Sequence, residues 1–73
     1  MNPDDLIALM RTQPFQPFTV HLNNGSEFEV RHPDQAMVVG EMLLVAHHGD
    51  QLERIATLNI AHIRTMESAN SSP

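Results

Sequence analysis

The segment 17–33, PFTVHLNNGSEFEVRHP, constrains the fold most, because two alternating apolar runs flank a single turn sequence. A two-residue turn at Asn24 and Gly25 would place Leu22 opposite Glu27 and mix apolar with charged side chains on one face. A three-residue turn that ends with Gly25 in the left-handed region keeps one face apolar. We therefore predict a β-hairpin in this second register. On the side of the hairpin that stays apolar, the cross-strand pairs are Phe18 with Val30, Val20 with Phe28, and Leu22 with Ser26.

The two faces of this hairpin are expected to differ in burial, because successive side chains of a strand point to opposite faces. The residues predicted to face the core are Phe18, Val20, Leu22, Phe28 and Val30. The residues predicted to face solvent are Thr19, His21, Glu27 and Glu29. Pro33 has no N–H to donate and is expected to end the ladder at His32.

The N-terminal residues predict a helix over about residues 3–12. Asn2 is a preferred capping residue, Pro3 suits the first helical position, and the acidic residues that follow favour the first turn. Pro14 disfavours the α conformation at Gln13 and is expected to end the helix. A helix of this length is not stable alone, so its apolar side must dock on the rest of the chain.

Further apolar runs after the hairpin predict more short strands. They are AMVVG (36–40), MLLVAHH (42–48), RIATLN (54–59) and HIRTM (62–66). The predicted fold is mainly β with one N-terminal helix, in which about five of these six runs (two in the hairpin and four after it) form the strands of a small five-stranded antiparallel barrel. Residues 1–67 are expected to form this single domain, and the polar residues 68–73 a disordered tail.

The length and the cysteine content bear on how such a domain is stabilised. A chain of 73 residues buries only about 60% of its unfolded surface, so its core is thin. Small domains often gain stability from disulfides, a metal or partner subunits. The chain contains no cysteine, which excludes disulfides and thiolate metal sites and leaves the redox compartment undetermined. Self-association is therefore the expected supplement, or else a small but well-packed core suffices.

The charge and hydropathy patterns disfavour two classes of partner. The net charge of −5 argues against nonspecific binding to a phosphate backbone, which requires clustered cations. No run of 18 apolar residues is present, so no membrane-spanning segment is expected. The first residues are acidic and lack the basic region of a secretory signal, which makes a cytoplasmic location the expectation.

Three short motifs resemble those of the Sm-like (Hfq-like) proteins. LNNG (22–25) resembles the first hairpin turn of the Sm1 motif, and DQAM (34–37) resembles its Asp-x-x-Met. LNIAHI (58–63) resembles the Asn-Ile-x-x-Ile of Sm2, where a tight turn joins the last two strands. The resemblance implies a small barrel, rings closed by pairing of edge strands, and RNA binding. An SH3-like barrel of the same strand count fits the strand pattern nearly as well.

The chain departs from the Sm-like pattern at positions that contact RNA in that family. Val38 stands where an Asn follows the Asp-x-x-Met, and Thr57 and Leu58 stand where Sm2 carries Arg-Gly. The resemblance therefore does not carry the RNA-contacting residues of the family onto this chain.

A second resemblance covers the segment 14–33, PFQPFTVHLNNGSEFEVRHP. It is similar to a family of short uncharacterised bacterial proteins with the pattern Pro-Phe-x-Pro-Phe, a glycine turn and Phe-x-Val-x-His-Pro. This resemblance implies a bacterial source and no particular function.

Five histidines raise the question of a metal site, because neutral imidazole is a good zinc ligand. His47 and His48 are adjacent, however, and on a strand they point to opposite faces. His21 opposite Glu27 is interpreted as an ordinary cross-strand pair rather than a catalytic dyad. No motif places a nucleophile beside a base. We predict no catalytic, cofactor-binding or metal-binding residues, no cofactor, and no enzymatic activity.

The most apolar segment, 37–45 (MVVGEMLLV), allows two interpretations. The ordinary one is that it supplies the central core strands. The other is that an apolar run longer than one buried face requires offers part of its surface to a partner subunit.

The sequence favours a non-enzymatic assembly or protein-interaction module that self-associates or binds another protein. The residues predicted as a subunit interface are Ile55, Leu58, Ile60 and Ile63. The alternative is an Sm-like RNA-binding protein in which ring assembly concentrates arginines on one face. The candidate nucleic-acid contacts are then Arg31, Arg54 and Arg64.

Acidification is expected to reduce the solubility of the protein. Protonating all five histidines would cancel the formal charge of −5, so self-repulsion falls on the acidic side of the histidine range. The measurement is the saturation concentration at pH 5 and at pH 8. Equal solubility at the two pH values would contradict the prediction.

Overall fold

The structure is a computed structural model that describes residues 1–47 and 49–66. In this part of the chain it has one α-helix, α1 (Pro3–Met10), and two 3₁₀ turns, Pro33–Gln35 and Thr57–Asn59. The strands are β1 (Phe18–Leu22), β2 (Glu27–Val30), β3 (Ala36–Val39), β4 (Met42–His47), β5 (Gln51–Ala56) and β6 (Ile60–Thr65). The predicted tail, residues 68–73, and the predicted orientation of His48 lie outside the described residues.

The strands form two open antiparallel sheets of three strands each. Sheet 1 has the order β2-β1-β6, and sheet 2 has the order β3-β4-β5. The predicted fold class, mainly β with one N-terminal helix, is confirmed. The prediction of a single closed five-stranded barrel, Sm-like or SH3-like, is wrong.

The two 3₁₀ turns explain why the strands divide between two sheets. After β2 ends at Val30, Pro33 begins the first turn, and β3 then pairs with β4 instead of extending β2. The second turn, Thr57–Asn59, replaces the end of the predicted strand 54–59 and returns the chain to sheet 1, where β6 pairs with β1. Hydrogen bonds in a 3₁₀ turn are local, and proline has no N–H for a ladder, so these residues interrupt the pairing.

The β1–β2 hairpin has the predicted register. Its pairs are Phe18 with Val30, Thr19 with Glu29, Val20 with Phe28, and His21 with Glu27. The Leu22 N–H donates to the Ser26 carbonyl oxygen at 2.9 Å. Gly25 has a φ of 92°, a conformation that residues with a Cβ rarely adopt. On its other edge β1 pairs with β6, which makes β1 the central strand of sheet 1.

The inner faces of both sheets and one side of α1 share a single core. Its buried apolar residues are Leu6, Phe18, Val20, Val30, Ala36, Leu43, Val45, Ile55 and Ile60. Leu22 and Phe28, predicted to face the core, pack against it and are half-buried. Thr19 is predicted to face solvent but is only 9% exposed, because its central strand places it between Glu29 and Arg64 on the neighbouring strands.

Helix α1 begins as predicted and ends at Met10 rather than near residue 12. The Asn2 Oδ1 atom accepts a hydrogen bond from the Asp4 N–H at 2.9 Å and so caps the first turn. Leu6 is fully buried, which docks the helix on the core. Within the described residues, no helix has the length and apolar character needed to cross a bilayer.

The side chain of Gln35 joins the two sheets. Its Nε2 donates to the carbonyl oxygen of Glu29 in β2 at 2.8 Å and to that of Ala46 in β4 at 3.0 Å. Its Oε1 accepts a hydrogen bond from the Arg31 N–H at 2.7 Å. One amide therefore bonds to three backbone groups from both sheets, at a place where a closed barrel would have a ladder between strands.

Replacing Gln35→Ala is expected to lower the free energy of unfolding by about 1–2 kcal/mol, because three backbone groups lose their partner. The measurement is urea denaturation analysed as a two-state transition. Gln16→Ala is the control, since Gln16 is exposed in the connector between α1 and β1. It should change the free energy by less than about 0.5 kcal/mol. Equal effects of the two substitutions would show that Gln35 does not hold the sheets together.

Candidate interaction surface

Sheet 2 has an outer face made almost entirely of apolar side chains. Directly paired residues share a face, and so do alternate residues of one strand, so the register identifies its members. The rows across the sheet are Val39–Met42–Ala56, Met37–Leu44–Arg54 and Ala46–Leu52. We call the apolar residues of these rows the apolar face: Met37, Val39, Met42, Leu44, Ala46, Leu52 and Ala56.

The largest side chains of the apolar face are open to solvent. The exposed fraction is 56% for Met37, 52% for Val39 and 61% for Leu52, and Met42 is exposed as well. The other members are half-buried. An antiparallel sheet that packs one face on a core normally carries polar residues on the other. A contiguous exposed apolar patch, in contrast, is typical of a contact surface.

The outer face of sheet 1 provides a comparison within the same molecule, because it has the same number of strands and covers the same core. Its side chains are Thr19, His21, Glu27, Glu29, His62 and Arg64. The rings of His21 and His62 stack with their centroids 4.3 Å apart, and His21 Nδ1 lies 3.9 Å from a carboxylate oxygen of Glu27. The fold therefore accepts a polar outer face, and the apolar one is a specific property of sheet 2.

Two open depressions flank Met37. One has a volume of about 350 Å³ and extends over the apolar face to Leu52. The other, about 320 Å³, lies between β3 and α1 and reaches Met10. Ala36 and Met37 line both depressions, so the apolar surface continues from sheet 2 to the helix.

Two charged side chains lie at opposite margins of the apolar face. Arg54 is exposed on β5, in the middle row beside Leu44. Asp34 is exposed just before β3 and lines the depression next to Met37. Because β3 and β5 are the two edge strands of sheet 2, the β5 edge carries the cation Arg54 and the β3 edge carries the anion Asp34, with the exposed Arg11 of the depression beside α1 further out on the same edge.

A more polar cleft, with a volume of about 470 Å³, lies between β2, the first 3₁₀ turn and β4. Several of its polar groups have partners within the chain. Arg31 Nη2 lies 2.9 Å from a carboxylate oxygen of Glu29, and the amide of Gln35 makes the backbone bonds described above. His47 Nε2 lies 3.3 Å from a carboxylate oxygen of Glu53. Among residues 1–47 and 49–66, no three His, Asp or Glu side chains are grouped to hold a metal ion.

The arginines predicted as nucleic-acid contacts lie on different surfaces. Arg64 belongs to the outer face of sheet 1, and Arg54 to the outer face of sheet 2. Arg31 follows β2 and pairs with Glu29. Within one copy of the chain, these three side chains are not brought together into one basic face.

The residues predicted as a subunit interface divide between core and surface. Ile55 and Ile60 are buried in the core, and Ile63 is half-buried against it. Leu58, in the second 3₁₀ turn, is 73% exposed. The structure places none of the four on the apolar face.

The apolar face was foreseeable in part. Most of it comes from segment 37–45, for which the sequence allows a core interpretation and an interface interpretation. Alternate residues of this segment point inward and outward, so the core interpretation is confirmed for Leu43 and Val45, and the interface interpretation remains a prediction for the exposed Met37, Val39 and Met42. Sequence analysis missed Leu52. The available signal was the alternation of side chains along this strand, which places Leu52 and the buried Ile55 on opposite faces.

The apolar face is expected to contribute little to the stability of the single chain. Leu52→Gln should change the free energy of unfolding by no more than about 0.5 kcal/mol, because the side chain is mostly exposed. Ile55→Ala, on the same strand but facing the core, should lower it by about 2–5 kcal/mol. Both are measured by urea denaturation at low protein concentration. A loss for Leu52→Gln that approaches the loss for Ile55→Ala would mean that Leu52 is packed within the chain.

Three comparisons with known proteins return nothing similar to this chain. No family model matches it, no curated protein matches it, and no solved structure matches it.

Proposed function

We propose that the chain is a non-enzymatic protein-interaction module that binds a protein partner through the apolar face. The observation that carries the proposal is the contrast between the two sheets. Both cover the same core, yet only sheet 2 presents large apolar side chains to solvent. Each Å² of apolar surface that a partner covers contributes roughly 25 cal/mol, so this face gains free energy from a protein contact.

The side chains of the apolar face suit a protein contact. Met37 and Met42 are unbranched and adaptable, and methionine is enriched at protein interfaces. The two depressions beside Met37 offer places for apolar groups of a partner.

Charge supports a protein partner over a phosphate-bearing one. The chain has a net charge of −5, and Arg54 is the one cation on the outer face of sheet 2 within the described strands. Anionic lipid surfaces and nucleic acids both attract clustered cations, and an acidic chain is repelled by them.

The internal bonding of the polar cleft supports a role without catalysis. A catalytic site needs polar groups that converge on a reacting atom. In this cleft Arg31 and Glu29 pair with each other, and the Gln35 amide bonds to the backbone.

Site-specific photocrosslinking tests the proposal. A photoreactive amino acid is placed at position 52 of the full chain, in cells of the organism that supplies the sequence. Irradiation is expected to give a discrete adduct of higher mass, because the apolar face is covered by a partner. Mass spectrometry of the adduct then identifies that partner, whether another protein or a second copy of the chain.

Position 27 supplies the control for this experiment. Leu52 is 61% exposed and the Glu27 side chain is also 61% exposed, and both lie on edge strands, but Glu27 belongs to the polar outer face of sheet 1. Adducts should form at position 52 in clear excess over position 27. Equal or absent adducts at the two positions would refute the proposed function.

A further inference from the structure

We infer that the partner of the apolar face is a second copy of this chain, packed face to face through sheet 2. The inference rests on the proposed function and adds the identity and the geometry of the partner. It is carried by the placement of charge around the apolar face and by the sizes of its side chains.

The charges at the two margins are complementary under a two-fold rotation. Arg54 lies on β5, and Asp34 lies just before β3, with β4 between them. A self-complementary surface needs each group to meet its partner group on the other copy. A cation on one edge and an anion on the opposite edge meet this condition, and they can form two equivalent ion pairs.

The position of Arg54 selects the direction of the two-fold axis. A two-fold axis perpendicular to the strands, in the plane of the interface, would place β5 of one copy over β5 of the other. The two Arg54 side chains would then face each other, because Arg54 is in the middle row. An axis parallel to the strands places β5 over β3 of the second copy. Arg54 then lies over Met37, with Asp34 within reach, and its aliphatic stem covers the methionine.

Side-chain sizes agree with the axis parallel to the strands. In that arrangement Val39 of one copy lies over the small Ala56 of the other. Leu52 lies over the depression of about 350 Å³ beside Met37 of the other copy. At the two edges, large groups therefore oppose small ones or a depression, whereas along the central strand Met42 and Leu44 each oppose the same residue of the other copy.

The size of the apolar face sets the strength of this dimer. Strands about 4.8 Å apart and rows about 6.8 Å apart give a patch on the order of 300 Å² for three strands and three rows. A stable interface buries about 800 Å² on each partner, so the dimer is weak. We therefore expect the dimer to form only at high protein concentration, which makes it a concentration-dependent state.

Charge reversal with mixing tests the inference. Sedimentation equilibrium over a series of concentrations is measured for the unmodified chain, Arg54→Asp and Asp34→Arg. Each reversal places like charges opposite each other in the dimer and should raise the dissociation constant about 3- to 10-fold. In an equimolar mixture of the two variants, positions 54 and 34 that face each other again carry opposite charges. A mixed dimer should therefore form more tightly than the dimer of either variant alone.

Two controls make the result specific to this face. Arg64→Asp changes the net charge by the same amount as Arg54→Asp but lies on the outer face of sheet 1, so it should leave the dissociation constant within about twofold. Leu52→Gln removes an apolar contact without changing charge and should weaken the dimer.

The outcomes separate this inference from the proposed function. A chain that stays monomeric at every attainable concentration, or a dimer that responds equally to Arg54→Asp and Arg64→Asp, overturns the second copy as partner. Adducts at position 52 with a different protein would then still support the proposed function. Recovery of association in the mixture of Arg54→Asp and Asp34→Arg supports the face-to-face dimer.

Discussion

Within residues 1–47 and 49–66 the two sheets share a core but no strand ladder, and the side-chain amide of Gln35 makes hydrogen bonds to both of them. A three-stranded sheet has little stability until one of its faces is covered. Each sheet here is covered by the other, so their relative position determines whether the core closes. The amide bonds to backbone atoms of both sheets and has only one geometry in which all three bonds are made. Together with the shared core, these bonds help to position sheet 2, and therefore the apolar face, relative to sheet 1.

The local parts of this fold could be predicted from the sequence, because short-range chemistry determines them. Gly25 and the alternation around it specify the register of the hairpin, and Asn2 with Pro3 specifies the start of α1. The division into two sheets could not be predicted, since it depends on which strands pair after each 3₁₀ turn. The sequence of the second turn, Thr57–Asn59, reads as the end of a strand.

The candidate surface was predictable to a similar degree. The continuous apolar run 37–45 indicates two apolar faces on one pair of strands, and the structure assigns one face to the core and the other to solvent. Ile55 and Ile60 are apolar, as expected for interface residues, but both are buried in the core of the chain itself. Hydrophobic side chains do not distinguish these two uses until the pairing of the strands is known.

The pairing of β6 with β1 has a consequence for synthesis of the chain. The hairpin and sheet 2 connect residues close in sequence, whereas sheet 1 joins β1 to a strand that the ribosome makes after all the other described strands. At ordinary elongation rates, β1 waits on the order of several seconds for β6. Until β6 has been made, sheet 1 lacks its third strand and the core lacks Ile60, so the complete core cannot form. The speed of translation between these two strands therefore sets a lower limit on the time before each new molecule can complete its core.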